Sequence, residues 1–354
     1  MTTEHAVAST NAGASTSVGV KPRTRRLKTW TAFGDLGRRP SEYEILTHGL
    51  NHTTGQPPLE LGPDVHGNRW LREHRDAMGL KVGDWNAFRD PDAVTYGSYV
   101  AMQDDQETYV EGLLERFDRE NHDAGLPDEA LDFLALTVTP CRYLAHAEQM
   151  LSAYVQQLAP TSYVATTATF QTADQLRRVQ LIAYRTTQLR LAFPQRTFGT
   201  GERATWETYP EWQPIRAAVE HALVEFDWDR AVVATQLVVK PVADLLFLQQ
   251  LGHELAAAGA ALDGLLAENL WRDAQRSRRW TGALLGFLAA ADPANVGVLQ
   301  GHLREWAAWG HAMVAAGSGL LAQGGGRSST EIAVAVTEGW REVIEPAGLT
   351  VDAA

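Results

Sequence analysis

The chain contains a single cysteine, Cys141, among 354 residues. One thiol excludes an intramolecular disulfide and any site held by clustered cysteines, zinc or iron–sulfur, and it suits a reducing compartment. No run of eighteen uninterrupted apolar residues occurs, so no membrane span is predicted. The N-terminus, Met1-Thr2-Thr3-Glu4-His5, has neither the basic region nor the apolar region of a secretion signal, which predicts a cytoplasmic protein. Positive charge is also scarce. A net charge of −12 argues against a nucleic-acid binder, which needs a basic face for phosphate. There is no Gly-x-Gly-x-x-Gly and no phosphate-binding loop, and Gly324-Gly325-Gly326 lacks the flanking strand and helix that would make one. The eleven histidines form no Glu-x-x-His, His-x-x-His or His-Glu-x-x-His, and His146 and His253 read as ordinary helix residues rather than ligands.

Apolar residues make up 45% of the chain, an ordinary globular value, and the length supports one large helical core or two fused halves. Residues 1–20 are mostly Thr, Ser, Ala and Gly and predict a disordered tail. Residues 21–95 begin with a basic run (Lys21, Arg23, Arg25, Arg26, Lys28) and are rich in turn residues, too long for a loop inside a compact domain. They also carry Trp30, Phe33, Tyr43, Trp70 and Trp85. This predicts an extended arm laid over partner surfaces, with those rings and Arg38 and Arg39 as interface anchors. From residue 96 to 322 apolar residues recur at three and four. Helices are expected over 96–117, 128–157, 161–192, 212–225, 228–257, 259–290 and 295–322, with Pro140, Pro160, Pro194 and Pro241 at boundaries or kinks. Ala257-Ala258-Gly259-Ala260-Ala261 is small enough for close helix packing. Residues 323–354 read as a Gly-rich linker and a short helix, Ile332–Ile344. No β-alternation of comparable length appears, so the fold class is all-α.

The helical body is also twofold. Asp174-Gln175-Leu176-Arg177-Arg178 and Asp273-Ala274-Gln275-Arg276-Ser277 repeat Asp-x-x-Arg at matching points of two helix pairs. Carboxylate-bridged di-iron bundles place Glu-x-x-His on each of two such helices, because a three-residue step puts carboxylate and imidazole on one face. At those positions this chain has Gln175/Arg178 and Ala274/Ser277. Gln175 is neutral, Ala274 has no donor, Ser277 is a poor ligand, and Arg178 sets a permanent cation where imidazole would bind metal. The upstream windows offer only Glu148, and Asp244 with Lys240 close by. Asp174, Gln175 and Arg178 are expected to form a hydrogen-bonded core network, with Arg177, Asp273 and Arg276 in it. The plainer alternative is that Asp174/Arg177 and Asp273/Arg276 are exposed i,i+3 pairs worth a few tenths of a kcal/mol.

Asp104-Asp105-Gln106-Glu107 carries a rival reading. Class I terpenoid synthases are all-α and hold Mg²⁺ with Asp-Asp-x-x-Asp. Here the fifth position is Thr108, and no second metal motif follows. Acidic residues near a helix start also complement its dipole without any metal.

Several segments together resemble the β subunit of bacterial multicomponent monooxygenase hydroxylases of the toluene/phenol/alkene type. They are Arg38-Arg39-Pro40-Ser41-Glu42-Tyr43-Glu44, Asp84-Trp85 through Phe88-Arg89-Asp90-Pro91, and Gln103-Asp104-Asp105-Gln106-Glu107-Thr108-Tyr109-Val110-Glu111-Gly112-Leu113. Further along come Tyr154-Val155-Gln156-Gln157-Leu158-Ala159-Pro160, Ala183-Tyr184-Arg185-Thr186, Phe226-Asp227-Trp228 and Leu237-Val238-Val239-Lys240-Pro241. The resemblance runs from about residue 27 to 315. It implies a ferritin-like bundle without metal that supports an iron-bearing α subunit in an (αβγ)₂ hydroxylase. It also implies electrons from NADH through a flavin (FAD)/iron–sulfur reductase, a Rieske ferredoxin in the toluene type, and a small effector protein. No iron ligand of the family can be carried over to a residue here. A self-sufficient catalytic di-iron protein is the alternative, and it needs ligands the sequence does not visibly supply.

Overall fold

The structure, a computed structural model, describes residues 33, 34, 36–50 and 64–351. The tail 1–20, the basic run Lys21–Lys28 and Trp30 lie outside the described residues. The chain divides into two compact units, residues 1–41 and 42–354. In the first, Phe33 sits in a short 3₁₀ turn, and Arg38 and Arg39 are exposed, with Arg38 Nη1 donating to the Arg39 carbonyl.

The second unit is built of α1 Glu42–Thr47, α2 His66–Leu71, α3 Tyr96–Arg119, α4 Asp128–Thr137, α5 Cys141–Gln157, α6 Ser162–Ala192, α7 Glu202–Thr208, α8 Trp212–Ala222, α9 Trp228–Ala257, α10 Ala261–Ala291, α11 Ala294–Leu321 and α12 Ser329–Ile344. No strand occurs among the described residues. Sequence chemistry sets the ends. Thr95 and Ser98 form a capping box on α3, Thr161 caps α6, and Ser328 with Glu331 forms a second box on α12. The single helix expected over 128–157 is two, because Pro140 cannot donate to a continuing helix and instead opens α5. The segment 257–261 is the turn between α9 and α10, with Gly259 at φ +87°, rather than a packing face. Close packing of α9 on α10 falls just beside it, where a Cβ on Gly264 would come within 3.1 Å of the Gly252 carbonyl.

Two antiparallel pairs, α5/α6 and α9/α10, form the central bundle, and α3 lies across α6 and α10. Helix α9 is long and apolar enough to cross a membrane, yet its most apolar stretch is entirely buried here as the core helix. It carries π-helical turns at Val233–Val239 and Leu245–Gln250 on either side of Pro241. Pro241 has no N–H for the carbonyl four residues back, that of Leu237. The Trp340 indole of α12 donates to that carbonyl instead. Trp340 in turn lies against Gly310 of α11, where any Cβ would collide with its ring. Ile332, Val336, Trp340 and Ile344 are fully buried in the main core, so α12 is part of the bundle rather than an appendage beyond a linker.

Residues 42–50 and 64–95 belong to this helical unit as well. Tyr43 is buried, Trp70 donates to the Tyr154 hydroxyl (3.1 Å) and meets the Phe226 ring edge-on, and Trp85 stands edge-on to Trp228. The surface these three rings cover is that of their own chain. Arg89 tightens the attachment, reaching Glu44 at 2.7 Å with its guanidinium over the Tyr163 ring.

Candidate functional site

The bundle centre holds two adjoining layers of buried charge. The inner layer draws on α5, α6 and α9. Arg178 Nη1 donates to Glu148 Oε2 (3.1 Å) and Asp244 Oδ1 (3.4 Å), and Lys240 Nζ pairs with Asp244 Oδ2 one turn along α9. Gln175 turns its amide nitrogen to Glu148 Oε2 (3.1 Å) and its oxygen to Lys240 Nζ (3.2 Å), the orientation in which both ends find a partner. All five residues are buried. Burial pushes the Glu148 carboxyl up to about 7, and Asp244 adds to the rise against the pull of Arg178 and Lys240.

The outer layer crosses between α6 and α10. Arg276 pairs with Asp174, and Arg177 Nη1 pairs with Asp273 Oδ2 at 3.1 Å. Each Asp-x-x-Arg copy therefore neutralises the other. Helix α3 closes the layer with polar groups one turn apart: Tyr99 donates to Asp174 (2.9 Å), Gln103 to Asp174 (3.2 Å) and Asp273 (3.0 Å), and Gln106 to Asp273 (3.1 Å). Glu107 accepts from Arg177 Nε, and Asn269 from its Nη2. Burial pushes Asp174 up to about 7, and Asp273 beside it adds to this against Arg276 and Tyr99.

The geometry rearranges the sequence expectations. Asp174, Arg177, Asp273 and Arg276 are buried and cross-paired, so they are not surface i,i+3 pairs. Gln175 and Arg178 belong to the other layer, with Glu148, Lys240 and Asp244, so the expected single network of Asp174, Gln175 and Arg178 is divided in two. Ala274 faces a cavity of about 10 Å³ between the layers, and Ser277 faces a different small cavity beside Trp280. Asp104 and Asp105 are exposed while Gln106 and Glu107 turn to the bundle, so the acidic motif does not converge on one point. A third buried ion-paired layer went unread: Arg185 Nε meets Asp263 at 2.8 Å, and its Nη1 meets Asp123 at 2.6 Å. The row Gln103, Gln106 and Glu107 at three- and four-residue spacing was the available signal for α3, and it was read as an acidic cluster instead.

Two metal ions do not fit this centre. Among the described residues no three His, Cys, Asp or Glu side chains are placed to hold a metal ion. Both carboxylates of the inner layer are engaged by Arg178 and Lys240, whose charges repel a metal cation. Cys141 lies next to the layer, but burial pushes its thiol up to about 12, so it offers no thiolate.

Residues 65–292 match the profile of the methane/phenol/alkene hydroxylase family. This chain belongs to that family. It is 38% identical over 282 residues to the toluene-4-monooxygenase hydroxylase component subunit beta of Ectopseudomonas mendocina, covering 79% of this chain and 86% of that protein. The phenol 2-monooxygenase oxygenase component DmpL of Pseudomonas sp. (strain CF600) is 25% identical, over 77% of this chain and 82% of its own length. Among solved structures, a chain of toluene 4-monooxygenase with toluene in its resting active site superposes with a TM-score of 0.79 at 37% identity, covering 83% of this chain and 97% of that one. A chain of phenol hydroxylase from Pseudomonas sp. OX1 shares the fold, with a TM-score of 0.74 at 18% identity over 88% of this chain and 92% of that one. The chain is a β subunit of a multicomponent monooxygenase hydroxylase, with the expected ferritin-like helical fold.

Proposed function

We propose that this chain is the metal-free β subunit that supports an iron-bearing α subunit in an (αβγ)₂ hydroxylase. The observation that carries the reading is the pairing of Arg178 and Lys240 with Glu148 and Asp244 at the centre of the bundle. A di-iron bundle needs carboxylates and imidazoles facing that centre. Here cations occupy it and the acids are already neutralised. The chain's chemical contribution is rigidity: three buried ion-paired layers along one bundle fix the surface on which a sister subunit is held. Iron in that partner supplies oxygen activation, with electrons from NADH through a flavin/iron–sulfur reductase and a ferredoxin, and with a small effector protein. The substrate class is an aromatic hydrocarbon or small alkene, with toluene favoured by the relative that is 38% identical. Residues of the first unit, with Phe33, Arg38 and Arg39, are assigned to contacts with partner subunits, and the work is placed in the cytoplasm.

The test is co-expression with candidate α and γ hydroxylase subunits from the same genome. Iron is measured in each subunit after dissociation, and hydrocarbon oxidation is measured with and without this chain. The expected result is iron in α alone and loss of assembled hydroxylase when this chain is omitted. Stoichiometric iron in this chain, or oxidation of hydrocarbon by this chain by itself, favours a self-sufficient di-iron enzyme and ends the proposal.

A further inference from the structure

Past Ala173, which packs beside the Val94, Tyr99 and Phe170 cluster, the outer face of α6 is exposed and nearly free of charge. Ala173, Leu176, Gln180, Tyr184, Thr187 and Leu191 follow one another at steps of three and four, so they form one stripe about 27 Å long. Leu176 is 45% exposed, Tyr184 55% and Leu191 73%. Large apolar side chains in a row are the kind of exposure that marks an interaction surface, unlike single scattered ones.

Helix α3 forms the wall beside this stripe. Tyr99 stacks on Phe170 with ring centroids 4.6 Å apart, and Glu107 meets Arg177, the neighbour of Leu176 in sequence. Val100, Asp104, Glu107 and Glu111, again at steps of four, three and four, share the flank of α3 on that side. Asp104 and Glu111 are exposed and make no ion pair among the described residues. The result is a groove with an uncharged floor and an acidic wall.

We infer that this groove receives a helix of the iron-bearing sister subunit, one with an uncharged ridge and lysine or arginine along the flank that meets α3. The inference rests on the functional reading above and names the surface that serves it. Knobs on the incoming ridge pack between Leu176, Gln180 and Tyr184, and its basic flank neutralises Asp104 and Glu111. A second copy of this chain is a poor occupant. Two stripes packed together bring two acidic walls close, between chains of net charge −12. A free peptide is also a poor one. A strip 27 Å long and one helix wide covers about 300 Å², well short of the ~800 Å² per partner of a stable interface, so its occupant is part of a larger docked subunit.

The test places a benzophenone-maleimide crosslinker on Gln180→Cys in the assembled hydroxylase; Cys141 is buried and does not compete for label. Val334→Cys on α12, 51% exposed, is the comparison site. The expected result is capture of the iron-bearing subunit from position 180 and not from 334, and at least a tenfold loss of co-purified complex in Leu176→Glu/Tyr184→Glu and in Asp104→Lys/Glu111→Lys. Capture of a second copy from position 180, no capture in an intact complex, or equal capture from 334 overturns the groove assignment while the subunit reading stands. Failure of the unsubstituted chain to co-purify with the iron-bearing subunit sinks the functional reading and the groove with it.

Discussion

Asp174 and Arg276 lie 102 residues apart and form a buried ion pair across the bundle. Its counterpart, Arg177 with Asp273, spans 96 residues. The two Asp-x-x-Arg copies are therefore reciprocal clamps between α6 and α10. Removing one partner leaves the other charge buried, a loss of roughly 3–5 kcal/mol, whereas replacing both by neutral groups of similar shape costs much less. Arg276→Met is expected to lower unfolding free energy by about that amount. Arg276→Met with Asp174→Asn should recover most of it. Urea melts of the four proteins in the cycle, run about one pH unit above 7 so that the Asp174 carboxyl is ionised, measure the coupling, and independent, additive losses would show that the pair is not a unit.

Protonation adds a pH signature. Asp174 and Glu148 are both pushed up to about 7, chiefly by burial, while in the unfolded chain they titrate as ordinary carboxylates near pH 4. Below that range both states hold the proton and neither group matters. Between about pH 4 and 7 the unfolded chain has lost a proton that the folded chain keeps, so each group makes stability fall as pH rises. The slope is about one proton per group, ~1.4 kcal/mol per pH unit. Asp174→Asn should remove one such slope and Glu148→Gln the other. Parallel stability–pH curves for wild type and both variants between pH 5 and 7 would contradict this.

The sequence exposes the helix boundaries and the twofold motif because both depend on local spacing: apolar residues at three and four, proline at starts, Asp and Arg three apart. It conceals the pairing. Asp174–Arg177 and Asp273–Arg276 look like two local pairs; tertiary packing gives each arginine its nearer partner on the other helix, and Arg276 keeps Asp273 at 3.4 Å as a second contact. Arg178 could be read as a cation in a metal position. Its acceptors Glu148 and Asp244 stood out only as stray acids, because partners thirty or more residues away carry no local signature. Helix α7 was missed since Glu202–Thr208 is too short to show a period. The ring anchors Trp70 and Trp85 were legible as anchors, but nothing local indicates that the surface they cover is intramolecular.

Restoring half of a ligand set should not restore metal. Gln175→Glu with Arg178→His places Glu-x-x-His on α6, yet Lys240 remains in the same layer and Ala274 and Ser277 offer no ligands from α10. The variant also frees Glu148 and Asp244 from Arg178, leaving buried carboxylates short of a counter-charge. The expected outcome is well below one iron per chain after anaerobic loading with Fe²⁺, together with a lower melting temperature. Near-stoichiometric iron with unchanged stability would mean that the inner layer is a site awaiting ligands rather than a neutralised core.

The attachment of α12 depends on Pro241 in α9. The Leu237 carbonyl accepts from Trp340 Nε1, and the Trp340 ring fits against α11 only because residue 310 is glycine. Trp340→Phe keeps much of the apolar contact and loses the donor, leaving a buried carbonyl without that partner, at a cost of about 1–3 kcal/mol. Gly310→Ala forces the ring away from α11 and costs a similar amount through overpacking. Both changes act on one contact, so the double variant should cost less than the two losses added together. Pro241→Ala supplies an N–H four residues after Leu237 and gives that carbonyl a second possible donor. In its background Trp340→Phe should be milder. Chemical denaturation of the single and paired variants decides the matter: an equal penalty for Trp340→Phe with and without Pro241 would show that the indole bond is independent of the proline.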